Sequence, residues 1–170
     1  MLSSQTRYSM ATVGVIMGSK SDSDIVEPVV KLLEELGVEV DHQIVSAHRT
    51  PERIKEYTEN AEDKGYKAII AAAGGSAHLP GMTASETQIP VIALPVRREH
   101  HGDEALKSSI AMPPGVPVAV VSANGSVNAA ILATQIAATS DADILQNLKD
   151  YRTKLHDQVL NDNQDLQSSK

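Results

Sequence analysis

At 170 residues the chain is sized for one domain, which can bury roughly two thirds of the surface its unfolded form exposes. Apolar residues make up 41% and charged residues 22%, a globular balance that excludes intrinsic disorder. The net charge of −7 disfavours nucleic acid and anionic membranes as partners, and the lack of cysteine excludes disulfides, thiolate catalysis and cysteine-bound zinc or iron–sulfur sites. No apolar run reaches the ~18 residues needed to span a bilayer. The polar stretch Met1 to Met10 lacks the apolar segment of a signal peptide. A cytoplasmic protein without a membrane partner is the expectation. All the aromatic residues are tyrosines, 2% in total, so the core must be built from Val, Ile, Leu and Ala. The same shortage disfavours flavin or base recognition by aromatic stacking.

Thr12 to Met17 reads as a buried strand closed by Gly18-Ser19. From Asp22 to Leu36 the apolar residues Ile25, Val29, Leu32, Leu33 and Leu36 make a helical stripe. Asp22 or Ser21 is the expected N-cap and Gly37 the stop. Val38 to Val45 alternates as a strand, with Asp41 and His42 expected to face solvent. After Ser46-Ala47-His48-Arg49 a helix opens with Thr50 as N-cap and Pro51 in its first position, and ends at Gly65. Lys67 to Ala73 is a third strand, followed by a loop from Gly74 to Gly81. Pro90 to Leu94 and Pro117 to Val121 are strands four and five. Asn128 to Ala138 and Asp141 to Leu160 are the last helices, with 1–11 and 161–170 expected as flexible tails of a single 1–170 domain.

This alternation predicts an α/β fold, a parallel sheet covered on both faces through right-handed crossovers. Ligands of such sheets bind beyond the carboxyl ends of the strands. Loops 18–24, 46–50 and 74–81 therefore converge on one edge, bringing together Gly, Ser and His residues that packing does not explain.

Gly18 to Asp24 joins a buried strand to a helix. Glycine admits a ligand to the backbone, serine hydroxyls and free helix N–H groups suit an anion, and Asp22 can accept from sugar hydroxyls. Alone, the same residues also read as a turn with a cap. Neither the Walker nor the dinucleotide glycine spacing is present. In Ser46-Ala47-His48-Arg49 the imidazole can exchange protons near neutral pH, and the guanidinium can hold a phosphate or carboxylate. A cation is unfavourable at a helix N-terminus unless an anion meets it, which favours a functional role for Arg49. Gly74-Gly75-Ser76-Ala77-His78 offers backbone donors and a second imidazole, or merely a turn. His100-His101, flanked by Arg97, Arg98, Glu99, Asp103 and Glu104, is a metal site on paper. Adjacent histidines do not share a face, so a solvated charged loop is the reading and no metal is expected.

With these loops in view, the chain resembles the PurE family, the N5-carboxyaminoimidazole ribonucleotide mutases of purine biosynthesis. The matching stretches are Met17-Gly18-Ser19-Lys20-Ser21-Asp22, Val45-Ser46-Ala47-His48-Arg49-Thr50-Pro51 and Gly74-Gly75-Ser76-Ala77-His78-Leu79-Pro80-Gly81-Met82. Met112-Pro113 and Asn128-Ala129-Ala130 match more weakly, and the similarity spans roughly residues 12 to 160. The resemblance implies a flavodoxin-like three-layer αβα sandwich, assembled as a homo-octamer with sites between subunits. It implies that Ser19, Ser21, Asp22 and Arg49 hold the phosphoribosyl part of a ribonucleotide. His48 is then the acid–base, with Ser46, Ser76 and His78 near the imidazole ring. Arg rather than Lys after the histidine favours the mutase over carboxylases that use free carbon dioxide. The implied carboxylate transfer calls for no cofactor.

Three departures stand against the family pattern. Arg97 to Gly102 replaces the small or apolar residues usual after the fourth strand, Ser122 to Val127 makes a turn about two residues shorter, and Ala111 stands where Gln precedes Met-Pro. They leave room for an aminoimidazole ribonucleotide carboxylase or a divergent enzyme acting on a related ring. A receiver domain of the same fold would end strand three on a phosphorylatable Asp, whereas Ala72-Ala73-Gly74 stands here. A flavin electron carrier is disfavoured by the missing aromatics.

Overall fold

Strands and helices alternate throughout the computed structural model, which describes residues 11–99 and 103–169. β1 (Thr12–Met17) passes through a single 3-10 turn (Lys20–Asp22) into α1 (Ser23–Glu35). β2 (Glu39–Ile44), α2 (Glu52–Asp63), β3 (Ala68–Gly74) and α3 (His78–Ser85) follow. β4 (Val91–Val96), α4 (Glu104–Ile110), β5 (Ala119–Val120), α5 (Ser126–Ala138) and α6 (Ala142–Ser168) complete the order. The five strands are parallel and lie in the order β2-β1-β3-β4-β5. This is the flavodoxin-like arrangement. The chain steps outward from β1 to β2, then returns to the other side of β1 to lay down β3, and the reversal opens a crevice beyond the carboxyl ends of β1 and β3.

Period-two alternation sends successive side chains of each strand into two separate cores. Val13, Val15 and Met17 of β1 join Val26, Val29 and Leu33 of α1, Ala130 and Ala133 of α5, and Ile144 and Leu148 of α6. Ile16 points the other way, with Ile69 and Ala71 of β3, toward Ile54 and Tyr57 of α2 and Leu79 of α3. Each fully buried Val, Leu or Ile contributes about 1.5–3 kcal/mol, so the helices are held mainly by these stripes. The alanines of β3 and α5 are fully buried or nearly so, which lets those elements approach closely. Gly14 serves the same end, because a Cβ there would overlap the Tyr57 ring and hydroxyl.

Several local expectations shift. Capping at the end of β1 falls to Ser19, whose hydroxyl accepts from the Ser21 N–H at 3.3 Å, while Asp22 makes no side-chain cap to α1. Thr50 does not cap α2. Its hydroxyl turns back on Ser46, accepting from that N–H at 3.0 Å and donating to that carbonyl at 3.2 Å. Asp41 is half-buried rather than solvent-facing, and its carboxylate accepts from Tyr66 at 2.9 Å, while His42 is exposed as expected. α3 begins inside the expected 74–81 loop, and its proline and glycine conceal it from a periodicity test. α4 is likewise additional, β5 is two residues long, and α6 runs to Ser168, beyond the expected end at Leu160. Gly37 and Gly65 sit at φ +82° and +70°, the left-handed stops that end α1 and α2.

Candidate active site

The crevice beyond β1 and β3 is a cleft of about 510 Å³. Ser19, Ser21 and Asp22 line it from the turn after β1. Ser46, His48 and Arg49 enter from the turn after β2, and Ser76 and His78 from the turn after β3. All eight residues singled out from the sequence thus share one cavity. His100-His101 lies outside the described residues, and among the described residues no cluster of His, Asp and Glu is arranged to hold a metal.

The turn after β3 is the most constrained part of the cleft. Gly75 at φ +58° and Ala77 at φ +47° both adopt left-handed backbone, which only glycine takes without cost. The Ala77 N–H closes the turn on the Gly74 carbonyl at 3.0 Å, and the Ser108 hydroxyl of α4 holds the Ser76 carbonyl at 2.5 Å. A strained alanine is retained only where surrounding structure over-determines it. The outcome is that His78, the first residue of α3, meets His48 across the cleft. His48 Nε2 lies 2.7 Å from His78 Nδ1, and the rings stand edge to face with centroids 4.8 Å apart. A nitrogen–nitrogen contact of this length holds one proton between donor and acceptor.

Arg49 binds the first two turns together. Its Nε donates to the Ser46 hydroxyl at 3.1 Å and one terminal nitrogen donates to the Gly18 carbonyl at 2.9 Å. These bonds use two of the five N–H groups of a guanidinium and leave the rest of its fork available. Asp22 is almost wholly buried, and its Oδ1 accepts from the Ser21 hydroxyl at 3.4 Å. Arg98, which the sequence placed in a solvated charged loop, reaches the same region. It forks onto Asp24 with two bonds of 2.8 Å and donates to the Ser21 carbonyl at 2.6 Å. The hydrogen bond from Arg98 holds the Asp24 carboxyl below the usual carboxylate range, and Asp24 in turn holds the guanidinium proton more firmly. The available signal was topological: Arg98 follows β4, and residues just beyond strand ends collect at this edge.

The family model described as AIR carboxylase matches residues 12–158. The N5-carboxyaminoimidazole ribonucleotide mutase of Thermotoga maritima is 46% identical over 159 residues, covering 93% of each chain. The Escherichia coli enzyme of the same name is 43% identical, covering 91% of this chain and 94% of its own. Among solved structures, PurE of Treponema denticola superposes with a TM-score of 0.85 at 29% identity, covering 92% of this chain and 98% of that one. The chain belongs to the PurE family, also described as the AIR carboxylase family.

Proposed function

We propose that this chain is a mutase converting N5-carboxyaminoimidazole ribonucleotide to 4-carboxy-5-aminoimidazole ribonucleotide in purine synthesis. The observation that carries the reading is the His48–His78 pair, 2.7 Å apart, set beside a partly used Arg49 fork in one cleft. The names of its relatives support the same reaction. Ser19, Ser21 and the open donors of Arg49 take the phosphate, and Asp22 accepts from the ribose hydroxyls. Ser46, Ser76 and His78 surround the aminoimidazole.

The chemistry is a relocation of one carboxyl group. His48 gives a proton to the exocyclic nitrogen, the bond from that nitrogen to the carboxylate carbon breaks, and carbon dioxide is released. Carbon dioxide held in the cleft beside the ring reacts there, a proximity effect in place of a second encounter. The enamine carbon C4 attacks the carbon dioxide, forming the new carbon–carbon bond, and neutral His48 removes the C4 proton to restore the aromatic ring. His48 finishes in the protonation state in which it began. His78, 2.7 Å from His48 Nε2, holds the His48 ring in orientation across the cleft.

A homo-oligomer, an octamer by family likeness, is part of the proposal, and so is a cytoplasmic location. The exposed apolar residues Leu155, Val159 and Leu166 on α6 support association. Among the described residues no helix is long and apolar enough to cross a membrane.

The direct test is turnover of N5-carboxyaminoimidazole ribonucleotide without added bicarbonate. Wild type is expected to turn over, and His48→Asn to lose at least about 10²-fold in kcat, the scale of acid–base catalysis. Undiminished activity in His48→Asn would sink the mechanism. Activity confined to aminoimidazole ribonucleotide plus bicarbonate would move the chain to the carboxylase reaction.

A further inference from the structure

We infer that Arg98 is a positioning residue for substrate binding, tying the phosphate–ribose loop to the end of β4 so that Asp22 is fixed in place. The inference rests on the role given above to residues 19–22. Arg98 does not line the cleft and acts on it only through what it holds. One terminal nitrogen donates to the Ser21 carbonyl at 2.6 Å and to Asp24 Oδ1 at 2.8 Å, and lies 3.5 Å from Asp22 Oδ1. The other donates to Asp24 Oδ2 at 2.8 Å. The guanidinium therefore contacts three of the four residues between Ser21 and Asp24. β3 lies between β1 and β4 in the sheet, so the side chain joins two loops that no strand pairing connects.

The arginine is itself anchored. The Arg97 N–H donates to Asn124 Oδ1 at 2.8 Å, and Asn124 Nδ2 donates back to the Arg97 carbonyl at 3.2 Å. Asn124, in left-handed backbone at φ +57°, is held in turn by its N–H on the Pro95 carbonyl at 2.8 Å. The short turn after β5 and the charged segment after β4 thus form one device whose working end is Arg98. Its charge matters as well as its reach. Asp22 borders the cleft and Asp24 lies two residues further on, and the guanidinium beside both offsets the repulsion between their carboxylates. Lysine cannot reproduce a forked grip on a carboxylate while also holding a carbonyl. Because the pair with Asp24 is largely exposed, it adds little to global stability. Its effect is local.

Arg98→Ala, Arg98→Lys and Asp24→Asn are compared with wild type in the mutase assay and by hydrogen exchange of the ligand-free protein. In Arg98→Ala, KM is expected to rise about tenfold, the loss of charge-assisted hydrogen bonds, with kcat within about twofold. Amides of residues 19–24 should exchange about tenfold faster while those of β3 keep their protection. Arg98→Lys should recover part of both effects, and Asp24→Asn should move both in the direction of Arg98→Ala. Wild-type KM and wild-type exchange of 19–24 in Arg98→Ala would overturn the inference. If β3 loosens as well, the decision passes to Asp24→Asn, where unchanged exchange of 19–24 overturns it and faster local exchange supports it. An inactive wild type would defeat the mutase reading, whereas the exchange measurement would still decide the tether.

Discussion

Gly18, in the turn after β1, and Gly75, in the turn after β3, are glycine for different physical reasons, and substitution separates them. Gly18 has no neighbour within 4 Å of an added Cβ and is not in left-handed backbone, yet it borders the cleft and its carbonyl accepts from Arg49. Gly18→Ala should therefore leave the melting temperature within about 1 °C of wild type while raising KM, because the methyl group enters the space of the proposed phosphate site. Gly75 also has open space around it, but its φ of +58° penalises any side chain. Gly75→Ala should lose about 1–2 kcal/mol, a fall in Tm of roughly 2–8 °C. Thermal melts with substrate titrations on both variants check the pair. Such residues were legible in the sequence where one short stretch contains both the motif and its partner, as in Ser46 to Arg49. Arg98 was not, because its carboxylate partner Asp24 lies 74 positions away and only the folded sheet brings them together.

Of the secondary elements, those with a long apolar stripe were read correctly, because burial of that stripe is also what stabilises them. α3 escaped because eight residues including Pro80 and Gly81 make no stripe, and β5 shrank because an edge strand has one neighbour and needs few ladder bonds. β2, the opposite edge, pairs with β1 along all six of its residues and is held further by tyrosines from its flank. Tyr57 donates to the Asp41 carbonyl at 3.2 Å and Tyr66 to its carboxylate at 2.9 Å. Burial first, and then the Asp41 carboxylate, push the Tyr66 hydroxyl up to about 12 and raise Tyr57 further in the same direction. The sign follows from proton counting. Above the ordinary tyrosine value of ~10 the unfolded chain has released the proton that the folded chain still holds. The stabilisation is complete below pH ~10 and is lost as pH rises toward the folded value near 12. Urea midpoints measured from pH 9 to 12 should fall in wild type and fall less steeply in Tyr66→Phe. Parallel slopes would show that Tyr66 titrates alike folded and unfolded.

The molecule as a whole leaves one surface unexplained by its own packing. α6 has 27 residues, about 40 Å at 1.5 Å each, and packs against α5. Ile144 and Leu148 are buried on the core, and Leu155, Val159 and Leu166 continue within about 60° of the same helical stripe. These three are 52%, 66% and 61% exposed, so the stripe that docks the first half of the helix runs uncovered along the second. An apolar stripe of this kind is favourable only if something covers it, and a second copy of the chain presents the matching surface by symmetry. The proposed homo-oligomer therefore predicts a mass several times that of one chain by light scattering. Leu155→Asp combined with Val159→Asp should shift it to smaller species while leaving the helical circular dichroism and the buried cores intact. If sites form between subunits, as family likeness implies, mutase activity should fall in step with dissociation and return as protein concentration is raised. A wild type that stays monomeric at high concentration would leave the stripe to another partner and place the complete site within one chain.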